Sequence, residues 1–154
     1  MITLYRRPGF LLRRAHQLSV GLFEHECQAL KLTPPQFGVL HMLMHREALD
    51  QAGLARGLGL DKVTVLHVVR GLETRGWLTR QASVTDRRRW TLTLSEAGKA
   101  VFLHAQSLAH QASEQLLSPL NGDEQQQLIE LLEKLCQGLE DQARTPFHPQ
   151  PDGV

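Results

Sequence analysis

Apolar residues recur at helical spacing through most of this chain and switch to strict alternation near its middle, and that change of period divides it into elements. Leu11, Leu12, Ala15, Leu18, Leu22 and Ala29 mark one stripe of a helix running from Pro8 to about Leu30. Proline suits the first turn of that helix, and Gly21 weakens its interior by about 1 kcal/mol relative to alanine. Thr33 as a cap, followed by Pro34 and Pro35, predicts a second helix whose core side carries Phe37, Leu40, Leu43 and Met44. A short pattern on Leu54, Ala55 and Leu58 then meets the Gly59-Leu60 corner, and a longer one on Val65, Val69 and Leu72 follows and stops at Gly76. Asp61 stands where its carboxylate can accept the first backbone N–H groups of that longer helix. In TRQASVTDRRRWTLTL the period falls to two, with Trp90, Leu92 and Leu94 alternating with Thr91 and Thr93, which predicts two short strands around an arginine-rich turn.

Helical spacing returns after Ser95 and Glu96, through Val101, Phe102, Ala105, Leu108, Ala109, Ala112 and Leu116, and ends near Ser118-Pro119 because proline disfavours helix in the residue before it. Another helix starts at Asn121 or Gly122 and carries Leu128, Leu131, Leu132, Leu135 and Leu139 beside an acidic face. The tail from Thr145, rich in proline and glycine, is expected to be mobile or laid along a neighbour. Two short helices at a tight corner followed by a charged β-ribbon form a helix-turn-helix with a wing, in which the second helix is offered to the major groove of DNA. The expected class is mainly α with a small β-wing.

Charge sharpens this reading. From Asp61 to Trp90 seven basic residues stand against three acidic ones, a balance of +4 in a chain whose total is +1, so the remainder is net acidic. A local basic footprint on a nearly neutral protein marks a polyanion-binding surface more specifically than a uniformly basic chain would. On the longer corner helix, Lys62, Val63, Thr64, Leu66, His67 and Arg70 lie away from the Val65-Val69-Leu72 stripe and are the candidate DNA-facing residues. Apolar side chains there suit thymine methyl groups, and His67 or Arg70 suits a base edge or a phosphate. The other reading of Val63 is packing against the preceding helix. Arg75 and Arg80 flank the end of the module and are expected on phosphate or on an acidic surface rather than on bases.

The 154 residues, 42% of them hydrophobic, suffice for one core and no more. Nothing approaches the length of an apolar membrane span, and MITLYRRPGF lacks the apolar run and cleavage site of a secretory signal, which leads to an expected cytoplasmic location and no membrane partner. Two distant cysteines do not make a disulfide scaffold. Enzymatic readings fail for want of chemistry: the sequence shows no phosphate loop and no nucleophile-histidine arrangement, and His25 and Cys27 point apart on a helix. His41 and His45 have the four-residue spacing of metal ligands, but with only Glu47 to join them they read as ordinary helix histidines, and neither metal nor cofactor is expected.

The run LETRGWLTR together with DRRRWTLTLSEAGKA resembles the winged helix-turn-helix regulators of the MarR family, and the likeness extends more weakly over nearly the whole chain. The resemblance implies a single domain over residues 1–154, with a DNA-binding region at 34–94 and helical dimerisation regions at 8–30 and 95–142. It implies that Asp86 and Arg88 shape and anchor the wing, flanked by Arg87 and Arg89, and that Leu94 and Ser95 lead into the next helix. Such proteins are homodimers on double-stranded DNA with an inverted-repeat operator, and most are repressors released by a small ligand or by cysteine oxidation.

Effectors in that family are commonly aromatic carboxylates or phenols held between the dimer helices and the reading module. On this chain Phe10, Arg13, Arg14 and His16 from the first helix, with His41 and Met44 from the second, offer apolar walls and anion-binding groups. Oxidant sensing is the rival switch, but Cys27 follows Glu24 and Glu26 near a helix C-terminus, a setting that opposes a thiolate, and Cys136 beside Leu135 and Leu139 reads as a small filler. A winged-helix adaptor that docks protein instead of DNA is the remaining alternative.

Overall fold

A computed structural model describes residues 3–46 and 49–149; Met1, Ile2, Glu47, Ala48 and the last five positions lie outside the described residues. Among the described residues six α-helices and one two-stranded sheet follow in the order α1 (Pro8–Glu26), α2 (Pro34–His45), α3 (Gln51–Leu58), α4 (Lys62–Thr74), β1 (Leu78–Ala82), β2 (Trp90–Leu94), α5 (Glu96–Leu117) and α6 (Gly122–Leu139). The fold is mainly α with a small β-wing.

Side chains set the helix ends. Thr33 and Gln36 form a reciprocal capping box at the start of α2, Asp50 accepts from the Gly53 N–H at 2.7 Å to start α3, and Asn121 with Glu124 caps α6. The first helix is shorter than its apolar stripe suggests. It ends at Glu26, and a separate 3₁₀ turn, Gln28–Leu30, leads to Lys31 in the left-handed region at φ 49°. The break lets the chain reverse into α2. It is held from outside, because the Arg75 guanidinium donates to the carbonyls of both Leu30 and Lys31 while lying 3.6 Å over the Trp77 ring. Arg75 is therefore a structural clamp rather than the phosphate or acidic-surface partner expected from its position. Arg80 does meet an acidic partner, pairing with Glu73 at 2.6 Å.

One core joins the reading unit to α5. Leu54, Val69, Leu72 and Leu92 are fully buried, as are Val39, Leu40 and Phe102. Phe37 is half-buried, stacked on Phe102 with ring centroids 5.8 Å apart and tilted against Phe23 at 5.6 Å. His41 and His45 pack edge-on against that same Phe102 ring. Glu47, their one candidate third ligand, lies outside the described residues, and among the described residues no group of three metal-ligating side chains converges.

The two strands pair antiparallel with Leu78 opposite Leu94 and Ala82 opposite Trp90. Alternation holds at the inner end, where Leu92 and Leu94 are buried; Trp90 stays exposed because the ribbon has left the body by that point. The Leu92 N–H donates to the Leu49 carbonyl at 2.8 Å, which ties the wing to the chain entering α3. At the base of the wing Ser95 caps α5 through the Gly98 N–H and donates to the Gly76 carbonyl at 2.6 Å. Gly98 approaches so closely there that a Cβ would stand 2.0 Å from the Trp77 carbonyl oxygen.

α5 packs along α1 and α2, whereas α6 buries none of its residues. Leu131, Leu132, Leu135 and Leu139 all face outward on it, as do Leu4, Tyr5, Leu11, Leu12 and Leu18 at the other end of the chain. No described helix is long and apolar enough to cross a membrane.

Candidate nucleic-acid interface

The reading helix begins where its sequence places it. The Asp61 carboxylate accepts from the Thr64 N–H at 2.8 Å and from the Thr64 hydroxyl at 2.7 Å, and these bonds hold its pKa below the usual aspartate value. The depressed value means the cap's contribution is present above the ordinary aspartate pKa and is lost as pH falls through the lower folded one. Lys62 is left exposed at the helix start.

Burial divides the six candidate residues of α4. Val65, Val69 and Leu72 point into the core, and on a helix of 100° per residue the opposite face belongs to Val63, His67 and Arg70. These three are exposed, Val63 at 64%, so it stands free of the preceding helix. Thr64 and Leu66 lie at the flanks of this face, half-buried, and the Thr64 hydroxyl is committed to Asp61. The outward stripe is thus one apolar side chain, one imidazole and one guanidinium at i, i+4 and i+7.

The wing turn is built by two small side chains. Ser83 Oγ accepts from the N–H groups of Thr85 and Asp86 at 3.3 Å each, and Asp86 accepts the Arg88 N–H at 3.0 Å. The Asp86 carbonyl takes the Arg89 N–H at 2.9 Å, and its carboxylate stands 3.9 Å from the Arg89 guanidinium. Asp86 thus holds the backbone of Arg88 rather than its guanidinium. All three of Arg87, Arg88 and Arg89 remain exposed, with Val84 fully exposed at the tip.

Between α3 and the wing runs a groove of about 600 Å³ whose lining includes Arg46, Asp50, Arg56, Thr85 and Arg89. Arg46 and Arg56 extend the basic footprint beyond the Asp61–Trp90 window in which the sequence concentrates it. Their signal was weak because Arg56 is the lone charge of α3 and Arg46 follows the end of α2, and only folding sets them beside the wing. The Asp50 carboxylate in this groove is already engaged as the cap of α3.

The candidate effector residues do not converge within one chain. Phe10, Arg13, Arg14 and His16 stand on the first half of α1, where Arg13 lies over the Phe10 ring at 5.1 Å and Arg14 reaches Gln17 at 3.4 Å. His41 lines a cavity of about 220 Å³ between α2 and α3 that includes none of these four, and Met44 lines a neighbouring cleft with Thr93 and Lys99.

A sequence profile of the MarR family matches residues 30–89, from the end of the first helical region to the wing tip. The HTH-type transcriptional repressor Rv2887 of Mycobacterium tuberculosis is 32% identical over 127 residues, spanning 82% of this chain and 91% of that protein. The chain belongs to the MarR family. MarR proteins of this kind are winged helix-turn-helix transcriptional regulators, and two solved relatives share the architecture described above. BpsR of Bordetella bronchiseptica, whose DNA binding is regulated by 6-hydroxynicotinic acid, superposes with a TM-score of 0.83 at 30% identity, over 88% of this chain and 96% of its own. The transcriptional repressor CouR, solved on a 23-mer DNA duplex, gives 0.81 at 30% identity, over 86% and 94%.

Proposed function

We propose that this MarR-family chain acts as a homodimeric repressor that reads an inverted-repeat operator and is released by a small aromatic or organic acid. The observation that carries the reading is the pairing of an exposed Val63-His67-Arg70 stripe and a basic wing with exposed apolar stripes on α1 and α6. Exposed apolar stripes on α1 and α6 form a surface that a soluble chain covers by association, and a second copy related by two-fold symmetry places two α4 helices on one face of DNA. In this reading residues 34–94 form the DNA-binding unit, 8–30 and 95–142 the dimerisation helices. Val63 meets a thymine methyl, His67 and Arg70 reach base edges or phosphate, and Lys62, Thr64, Leu66, Arg87, Arg88 and Arg89 line the contact. Half-sites then fall about 34–36 Å apart.

The test is fluorescence anisotropy at moderate salt with the chain's own promoter fragment and a scrambled duplex of the same length. Tighter binding to the promoter is expected; equal affinity for the two would falsify operator recognition. A winged-helix adaptor that docks protein would show the second outcome.

For release, ligand control is favoured over oxidation by the state of the cysteines. Cys27 is buried, and burial together with the adjacent Glu26 raises its pKa, so it is held as a neutral thiol of low nucleophilicity. Cys136 is exposed on the uncovered face of α6. Iodoacetamide at pH 8 should leave Cys27 largely unmodified until the protein unfolds, as read by mass spectrometry of its peptides. Labelling of Cys27 before unfolding would return the oxidant-sensing reading to first place.

The effector itself is proposed to be an aromatic carboxylate or its coenzyme A thioester, as 6-hydroxynicotinic acid is for BpsR. Phe10, Arg13, Arg14 and His16 occupy the part of α1 that a second protomer would enclose, with His41 and Met44 supplying the wall from α2. Calorimetry across such acids, paired with operator binding, tests the mechanism, which fails if no acid both binds and weakens DNA affinity.

A further inference from the structure

Thr145–Pro149, beyond α6, fold back onto the reading unit of their own chain. Thr145 Oγ1 donates to the Gly59 carbonyl at 2.9 Å, and the His148 N–H donates to the Arg56 carbonyl at 2.9 Å. The Phe147 N–H donates to Glu140 Oε1 at 3.0 Å, which anchors the segment to the short turn that follows α6. The Phe147 side chain lies over Gly59, its atoms 3.4–3.7 Å from where a Cβ would be.

Gly59 is the pivot of the helix-turn-helix, in the left-handed region at φ 62° and ending α3. Helix ends leave their last carbonyls without intrahelical partners. Here the N–H groups of Gly59 and Leu60 both serve Ala55, and the next carbonyl, that of Arg56, is taken by His148. A segment more than eighty residues away in sequence thus completes the cap of α3. Phe147 and Pro149 also wall the cavity that holds His41 and Leu58. The segment therefore meets the turn that follows α6 and the α3–α4 corner, and lines a cavity shared with α2.

We propose that Thr145–Pro149 is a strap whose Thr145 and Phe147 are positioning residues for DNA reading: they hold the α3–α4 corner at the angle α4 needs and couple it to α6. This rests on operator recognition as proposed above. The corner is the joint about which α4 tilts relative to α3, and the strap braces that joint from its outer side with one ring and two hydrogen bonds. A two-fold dimer carries two such joints, and both must be set for two half-sites to be read together.

The experiment compares the full chain with Thr145→Val, Phe147→Ala and a chain ended after Arg144, each measured on operator and on scrambled DNA at one salt concentration. Loss of the strap in both protomers should lower operator affinity about tenfold, the equivalent of roughly 1.4 kcal/mol, and leave scrambled-DNA affinity within about twofold. Thr145→Ser and Phe147→Leu, which keep the hydroxyl and the apolar bulk, should restore the operator value. A purely structural role would lower both affinities together, since it acts through the fraction of folded protein. The proposal is overturned if the shortened chain keeps its operator affinity, or if both affinities fall in the same ratio. Should the full chain itself not distinguish operator from scrambled DNA, operator recognition fails and the strap is decided by amide hydrogen exchange at Leu58–Leu60. Faster exchange in the shortened chain supports it, and unchanged exchange overturns it.

Discussion

Replacing Arg88 with alanine is expected to weaken operator binding and to flatten its dependence on salt. The side chain is exposed on a turn that its own backbone does not control: Ser83 and Asp86 fix the turn, and the Arg88 N–H is one of the groups they hold. Truncating the guanidinium therefore leaves the wing's shape in place and removes only its reach. Each phosphate contact on duplex DNA contributes about 0.9 to the slope of log affinity against log salt. A dimer loses two such contacts, so the slope should become shallower by about 1.8 if Arg88 sits on phosphate. An unchanged slope with lost discrimination between A·T and G·C at the flanks would instead place Arg88 in the minor groove on base edges. No change in either quantity would remove Arg88 from the interface. Asp86→Ala works differently, because it frees the Arg88 N–H and the Arg89 guanidinium together; it should loosen the wing and affect both arginines at once.

The largest effect on stability is expected at Gly98. An alanine there would drive its Cβ to 2.0 Å from the Trp77 carbonyl oxygen and 2.9 Å from the carbonyl carbon, both backbone atoms that no side-chain rotation relieves. Trp77 cannot yield easily, since its carbonyl accepts the Ser95 N–H and its ring lies under Arg75. Overpacking a tight site costs about 1–3 kcal/mol and sometimes more, and a backbone clash of this depth belongs at the upper end. For a chain of this size about 3 kcal/mol lowers the melting temperature by roughly 6–12 °C. Thermal melting followed by circular dichroism measures it, and a Gly98→Ala protein that melts within about 2 °C of the parent would show that α5 slides away from Trp77 at little cost.

Both predictions concern features of different legibility. The DRRR turn and its acidic partner stand out in the linear sequence as an abrupt local excess of charge between two alternating runs. The Gly98 contact does not, because a glycine three residues past a serine cap is what many helix starts contain, and its necessity comes from a carbonyl more than twenty positions earlier. Arg75 shows the same limit from the other side. Its position at the end of a basic module suggests an outward-facing cation, yet the carbonyls of Leu30 and Lys31, released by the break after α1, capture it. Neither the break nor the capture has a local signal, since each exists only when the other does.

Local rules decided most of the architecture. Helical spacing of apolar residues, short polar caps at Thr33, Asp50, Asp61, Ser95 and Asn121, and period-two alternation at the wing are short-range properties, satisfied within a turn or a strand pair. They determined the order of the elements, the face of α4 turned from the core and the place of the basic wing. The tertiary structure alone decided which cations remain available to DNA, which apolar stripes go uncovered and where the tail goes. A composition rich in proline after Thr145 says that a helix ends, and says nothing about the carbonyl of Arg56 or the bare face of Gly59 on which the segment settles. Those partners are set by the meeting of surfaces distant in sequence, where one unpaired carbonyl and one missing Cβ select the strap's seat.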